Sequence, residues 1–377
     1  MGLNHSIAII GAGASGCICA YFLLKAGFEV NIFDFGNPLR TLLPTGGGRC
    51  NLAHAEYDFK ELAKNYPRGE KFLYSVFSKF STYDTLGLFS ELGVETYTQE
   101  DERIFPTSNS AKDVREKILH SIKSANFIKE KVSKVIPIDS GFKIKTNKSE
   151  YFFSDVVISS GGKSYIEGTG HKIIQFVPSL VGLNTQEKAP SGIILKNVYS
   201  YEIKTEGDIL FTHFGISGPL TYKISSIKAG VKFPYTLTFD LCKDLLNLQD
   251  LLNTNPHKDI KNILSNYLPQ NFVKYLLGDL SDIKAHNIDG KTRDSILEKL
   301  HNFKLTVIGT NQGEETVSAG GFDLNEINPK TMESKLHPHL YFTGEALNID
   351  GFCGGFNLQN AWSTAYVAAE GIISQAE

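Results

Sequence analysis

The first apolar run, "SIAII" (Ser6–Ile10), is continuous rather than alternating, which predicts a parallel strand buried on both faces. Helical spacing follows from Ser15 to Gly27, and "EVNIFD" (Glu29–Asp34) predicts a second strand. Strand, glycine turn, helix and strand in close succession make a βαβ unit. Helical patterns recur at Phe59–Ser81, Thr82–Leu92 and Ala111–Ser124. "IKEKVSKVIPI", "GFKIKT" and "EYFFSDVVISSGG" then read as strands.

After Pro190 the pattern changes. Residues 191–243 hold short β-like runs ("GIILKNVYS", "GDILFTHFG", "PYTLTFDLC") separated by turn residues, and residues 244–302 are mostly helical. "KLTVIGT" restores a strand. The chain closes on strand, glycine loop and helix in "HLYFTGEALNIDGFCGGFNLQNAWSTAYVAAEGII". That ending has the texture of the N-terminal α/β region, so a discontinuous nucleotide domain interrupted by the middle of the chain is expected.

Composition narrows the classes. With 377 residues, more than one core is expected; 41% hydrophobic and 21% charged residues describe a globular chain. A net charge of -3, with dispersed lysines and no basic stripe interleaved with aromatics, predicts no nucleic-acid partner. No run approaches the ~18 apolar residues of a membrane span, so no membrane partner is expected. The start shows no signal peptide. The cysteines (Cys17, Cys19, Cys50, Cys242, Cys353) are odd in number and lack metal-site spacing, which predicts a reduced, cytoplasmic setting and no metal. Cys17 and Cys19, two apart on a helix, point in different directions and read as packing residues.

The chemistry concentrates in glycine clusters. "GAGASG" (Gly11–Gly16) has G-x-G-x-x-G spacing between a strand and a helix. Gly11 permits the tight turn, Gly13 lets backbone approach a pyrophosphate, and Gly16 lets helix and strand pack closely. Asp34 ends the second strand, where a carboxylate accepts bonds from a ribose diol and disfavours a 2′-phosphate. By itself this fingerprint fits FAD or NAD. Two further clusters favour the longer FAD. "TGGGRCN" (Thr45–Asn51), through Gly48, offers consecutive N–H groups and the fixed cation Arg49. "GEALNIDGFCGGFNLQ" (Gly344–Gln359), through Gly354 and Gly355, leads into a helix whose N-terminus suits the charge that a reduced flavin develops. Glu345, Asn348 and Asp350 are candidates for the ribityl hydroxyls.

"GAGASG", "TGGGRCN", "GGKSY…GTG" (Gly161–Gly170), "LFTHFGISGP" (Leu210–Pro219), "SAGGF…EINPKTMESK" (Ser318–Lys335) and "YFTGEALNIDG..GGFNLQNAWSTA" together resemble the BaiN-like family of NAD(P)/FAD-dependent oxidoreductases, also called YhiN-type flavoproteins. The resemblance runs nearly end to end. It implies an α/β fold: a discontinuous Rossmann-like FAD-binding domain of the two-dinucleotide-binding, glutathione-reductase-like type (1–189 and 316–377), an inserted β-rich domain (190–243 and 303–315) and a small helical domain (244–302). It implies that Gly11, Gly13, Ala14, Ser15 and Gly16 hold the pyrophosphate and Asp34 the adenosine ribose. Arg49, Cys50 and Asn51 would lie along the FAD, and Val132 would meet the adenine. Gly161 and Gly162 would lie near the ADP moiety, and Gly344, Glu345, Asn357 and Leu358 on the flavin side. The sequence departs from the family at Asp34 (more often Glu), Asn348 (commonly Asp), "FCGGFN" and "NLAH".

The expected function is hydride transfer through flavin N5 between NAD(P)H and a small organic substrate. No second glycine fingerprint exists, so NAD(P)H is expected to dock transiently over the ring. Arg49 is a candidate for polarising flavin or substrate. His213, in "FTHFGISGP" with Ser217, is a candidate general acid; a turn closed by Gly218-Pro219 is the plainer account of that motif. The rival functions are an oxidase using O2 and a flavoprotein acting on RNA. For Cys353, a small buried residue is favoured over a redox thiol.

Overall fold

A computed structural model describes residues 6–162, 166–245, 247–311 and 317–376; Lys163, Ser164 and Tyr165 of the "GGKSY" motif lie outside them. The chain divides into two compact units, residues 1–177 with 317–377, and residues 178–316.

The first unit is built on a five-stranded parallel sheet. Its order is Leu340–Phe342, Asp155–Ile158, Ile7–Ile10, Val30–Phe33, Asn126–Ile128. Ile7–Ile10 lies in the centre with every residue buried, as its unbroken apolar run predicts. The helix Ala14–Lys25 crosses between the strands at 7–10 and 30–33 and buries Cys17, Ile18, Cys19 and Leu23. Phe22 lies edge-on to Tyr366 of the C-terminal helix Phe356–Ala376, with centroids 5.0 Å apart. The strands Val132–Ile138, Gly141–Thr146 and Glu150–Phe153 form an antiparallel sheet of their own. It packs on the main one through Phe33 against Tyr151, at 5.1 Å.

The helical pattern expected over Phe59–Ser81 is two helices, Phe59–Ala63 and Glu70–Phe77. Pro67 lies between them, and Gly69 takes φ +94°, which ends any continuous helix there. Two small pieces carry no long periodic signal and are not predicted by it: the sheet of Ala53–His54, Arg103–Pro106 and Thr96–Thr98, and the strand pair Ile173–Ser179 with Val317–Phe322.

The second unit is a closed six-stranded barrel, ordered Leu183–Thr185, Gly215–Ser217, Thr205–Phe211, Ile194–Ser200, Tyr235–Asp240, Phe303–Thr310. Residues 178–189, grouped from sequence with the nucleotide domain, belong here, because Leu183 pairs with both Ile216 and Thr310. The helices between 248 and 301 share the barrel's core rather than forming their own. Phe272 packs against Phe211 at 5.1 Å and Phe303 at 5.7 Å, and one buried cluster runs from Leu183 to Val307. No helix among the described residues is long and apolar enough to cross a membrane.

Candidate cofactor-binding site

The three fingerprint glycines meet three different surroundings. A Cβ on Gly11, whose φ is +108°, would lie 2.4 Å from the Ser159 carbonyl oxygen. One on Gly16 would lie 2.0 Å from the Gly11 carbonyl oxygen. One on Gly13 would meet nothing within 4 Å. Gly11 and Gly16 are therefore required by protein packing, whereas Gly13 leaves an open space in front of the turn. The helix behind it, beginning at Ala14, has no side-chain cap at Gly13 and no acidic residue in its first turn. Its free N–H groups and positive end face that space, an anion cradle of pyrophosphate type.

Asp34 closes one side. Its Oδ2 accepts from the Ala12 N–H (2.8 Å) and its Oδ1 from the Gly36 N–H (2.7 Å). The carboxylate is thus pinned beside the turn, with lone pairs left for a diol. The Leu39 N–H donates to the Ala12 carbonyl at 2.8 Å, which ties in the chain leading to the arginine loop. The Asp34 N–H donates to the Ile128 carbonyl (3.2 Å), and buried Val132 opens the strand that follows.

The end of the strand Asp155–Ile158 closes the other side. Gly161 has φ +76° and open space before it, while a Cβ on Gly162 would meet Ser318 at 3.0 Å and Glu345 at 3.7 Å. Ser159 and Thr343 share a hydrogen bond of 2.6 Å between their hydroxyls. A Cβ on Gly344 would lie 2.5 Å from Ser15 Oγ, and the Gly344 N–H donates to Thr364 Oγ1 at 2.9 Å. Ala14 and Ser15, the 159–162 turn and Gly344–Glu345, far apart in sequence, therefore come together around the cradle.

The other two clusters meet one another. Gly46 and Gly47 adopt left-handed φ of +57° and +68°, and Gly48 follows at +87°. Arg49 Nε donates to the Gly46 carbonyl at 3.3 Å, and its guanidinium lies 4.1 Å from the Phe105 ring centroid. Asn51, with its amide turned so that both ends find partners, donates to the carbonyls of Ala53 (2.9 Å) and Ile104 (3.2 Å) and accepts from the Gly355 N–H (3.0 Å). A Cβ on Gly355 would lie 2.5 Å from the Ala53 carbonyl carbon. Asn357 pins the same loop from its far end: its Oδ1 accepts from the Gly351 N–H and its Nδ2 donates to the Gly351 carbonyl, both at 2.9 Å. Leu358 lies in the first turn of the C-terminal helix, which has no acidic residue there.

Sequence reasoning missed how the loop from 349 to 356 is held. Asp350, offered above for ribityl contacts, is fully buried and receives the Arg68 guanidinium through Nε and, at 2.5 Å, through Nη2. The Phe352 N–H donates to the Asn65 carbonyl (3.0 Å), and Tyr66 OH donates to the Phe356 carbonyl (2.6 Å). His54 Nδ1 lies 3.2 Å from the Gly354 carbonyl oxygen, and its ring is 4.7 Å from that of Phe356. The local signal is only the turn "NYPRGE", which does not disclose its distant partner.

The cysteines are quiet. Burial raises the thiols of Cys17 and Cys19 well above the ordinary value and pushes Cys50 up to about 12. Cys353, expected as a small buried residue, is instead exposed, on the loop that turns at Gly354 with φ +137°. Its thiol is nevertheless raised, loss of water outweighing the nearby Arg103 cation. His213 lies in the barrel unit, exposed between the strands ending at Phe211 and starting at Gly215, with its ring edge-on to Phe214 at 5.2 Å.

These surroundings fit FAD. Gly13 and Gly161 leave open the space a ligand backbone would fill, and Asn348 Oδ1, in the loop that leads to the C-terminal helix, is buried without a partner among the described residues.

The family described as "HI0933-like protein Rossmann domain" matches residues 5–371. The "Ribosomal RNA dihydrouridine synthase" of Escherichia coli (strain K12) is 28% identical, the match covering 97% of both chains. The "3-dehydro-bile acid delta(4,6)-reductase" of Clostridium scindens is 26% identical, covering 97% of this chain and 98% of the relative. In fold, the 3-ketosteroid delta1-dehydrogenase from Sterolibacterium denitrificans is similar at TM-score 0.50 and 12% identity, covering 98% of this chain and 99% of that one. The chain belongs to the HI0933-like protein Rossmann domain family and shares its fold with this dehydrogenase.

Proposed function

We propose that this protein is an FAD-dependent reductase that saturates a carbon–carbon double bond conjugated to a carbonyl. One observation carries the reading. The relatives named as a dihydrouridine synthase and a bile acid delta(4,6)-reductase each match 97% of the chain, and both names describe hydrogen added across such a bond. The substrate class is then a uracil ring in RNA or a small conjugated ketone. When bound, FAD supplies hydride transfer at N5.

The chain's own residues have three tasks in this reading. The N–H groups around Gly13, Ala14 and Ser15 hold the pyrophosphate, and Asp34 accepts from the ribose hydroxyls. The 349–356 loop, fixed by Arg68, Asn51 and Asn357, sets where the N-terminus of the C-terminal helix points. Arg49, stiffened against Phe105, presents a fixed cation beside the arginine loop.

NAD(P)H is the proposed source of electrons. The sequence has a single G-x-G-x-x-G, assigned here to FAD, so the nicotinamide would bind without a dinucleotide fold of its own. Saturation is expected toward the upper end of the usual ~1 μM–1 mM KM range.

The experiment is anaerobic reduction by NADH and NADPH, followed by reoxidation with uridine-containing RNA or a conjugated 3-oxo-4,6-diene steroid. Rapid reoxidation by either supports the reading. Reoxidation by O2 alone would refute it and leave the oxidase account.

A further inference from the structure

The barrel unit carries an exposed segment in which lysines alternate with large apolar side chains. Residues 209–239 contain no Asp or Glu but hold Lys223, Lys228 and Lys232, a local positive stretch in a chain of net charge -3. Within it, the helix Pro219–Ile227 runs into a loop and then the strand Tyr235–Asp240. Large apolar side chains stand in water there: Ile227 is 40% exposed, Val231 42% and Phe233 45%. Single exposed apolar residues need no explanation, but a run of them interleaved with lysines does.

The geometry of the aromatic pair narrows the partner. Phe233 lies nearly parallel to Tyr235, with centroids 5.5 Å apart and planes 20° from each other. Tyr235 is half-buried and backs Phe233, so the exposed ring is held as a platform rather than left to swing. A flat exposed ring in a segment that also carries exposed lysines matches an unstacked base and its phosphates. Lys232 is exposed beside Phe233, and Lys228 is half-exposed at the start of the loop.

We propose that the 227–235 segment is a contact surface for single-stranded RNA, with a base stacked on Phe233 and phosphates paired with Lys228 and Lys232. This rests on the uracil-ring branch of the function proposed above and gives that branch a docking surface.

The test uses the FAD-loaded full chain and a short fluorescein-labelled uridine-rich RNA, read by anisotropy across a salt series. The wild type is expected to bind, and to bind more weakly as salt rises. Phe233→Ala should weaken binding about tenfold, the usual order for one lost base stack. The Lys228→Glu/Lys232→Glu variant should lose at least as much and show a shallower salt dependence. Lys258→Glu/Lys291→Glu, an equal charge change at exposed lysines elsewhere in the unit, should change binding less than about twofold. Flavin absorbance and thermal midpoint report that each variant is folded.

Absence of wild-type binding overturns the proposal. So does equal weakening by both lysine pairs, which would mean unspecific attraction, or unchanged binding in Phe233→Ala. Self-association removed by Phe233→Ala, without RNA binding, would assign the surface to a second copy of this chain instead. Reoxidation by the steroid, read on the same preparations, separates the two readings. Steroid reduction without RNA binding sinks the surface alone, whereas RNA binding with no reducible substrate sinks the reductase reading and leaves the surface standing.

Discussion

Gly13 and Gly16 are three residues apart in one motif, yet substitution at each should fail differently. Gly13 has a φ of -81° and nothing within 4 Å of a built Cβ, so the folded protein tolerates a side chain there. Gly13→Val should give a cooperatively unfolding protein that has lost its yellow colour, because the side chain occupies the anion cradle. Gly16→Val drives a side chain into the Gly11 carbonyl 2.0 Å away and should cost at least the ~1–3 kcal/mol of overpacking. Absorbance near ~450 nm and thermal unfolding distinguish the two; retained stoichiometric FAD in Gly13→Val would move the cradle elsewhere. The packing demand at Gly16 is legible from spacing, since it follows from the backbone of a strand-to-helix turn.

His171 gives a pH-dependent contribution at the same scale. Its Nδ1 lies 3.0 Å from the Thr169 carbonyl oxygen and its Nε2 2.8 Å from Ser334 Oγ, and burial lowers its pKa below the ordinary 6.5. Between the lowered folded value and 6.5, the unfolded chain binds the extra proton and the folded one does not. The contribution is therefore complete above pH 6.5 and lost as pH falls through the folded value. His171→Gln should flatten that part of the stability curve, measured by denaturant unfolding across the acid range; an unchanged slope would exclude the residue.

At the scale of elements, the 349–356 loop depends on the 65–69 turn. Asp350 is fully buried, and Arg68 supplies its counter-charge. Arg68→Met would remove the guanidinium paired with that buried carboxylate, at a cost of about 3–5 kcal/mol. The lower stability should be accompanied by weaker FAD retention, because the same loop leads into the C-terminal helix. Adding Asp350→Asn should recover much of the stability by removing the buried charge. If Arg68→Met unfolds at the wild-type denaturant midpoint, the pair is not what holds the loop. The clamp is invisible in sequence because an ion pair between residues 68 and 350 leaves no periodic trace.

At the scale of the molecule, the nucleotide unit holds its two interrupted chain ends side by side. The Asp323 N–H donates to the Lys172 carbonyl at 2.9 Å, and Gly320 packs against Gln175. The strands 173–179 and 317–322 therefore run antiparallel, which brings Val177 beside the start of the second one. Excising residues 178–316 and bridging the gap with a short flexible linker should give a fragment with its own core, since the buried cluster of that unit runs from Ile7 to Ile372. The fragment should unfold cooperatively and copurify with some FAD. An insoluble fragment, made under conditions where the full chain is soluble, would mean that the nucleotide unit cannot fold without the barrel.

Local rules were enough for the βαβ start, the close packing at Gly11 and Gly16, and most strands, because periodicity and turn chemistry act over a few neighbouring residues. The return of the chain to its first domain was legible for the same reason: "YFTGEALNIDG" repeats the texture of a strand followed by a glycine loop. Folding alone assigned residues 178–189 to the barrel, merged the helices at 248–301 into its core, and turned Asp350 from a ligand candidate into the partner of Arg68. Each of those outcomes depends on barrel closure, shared burial or long-range charge pairing. Such contacts join positions tens to hundreds of residues apart, and no local pattern encodes which distant surface will cover a given side chain.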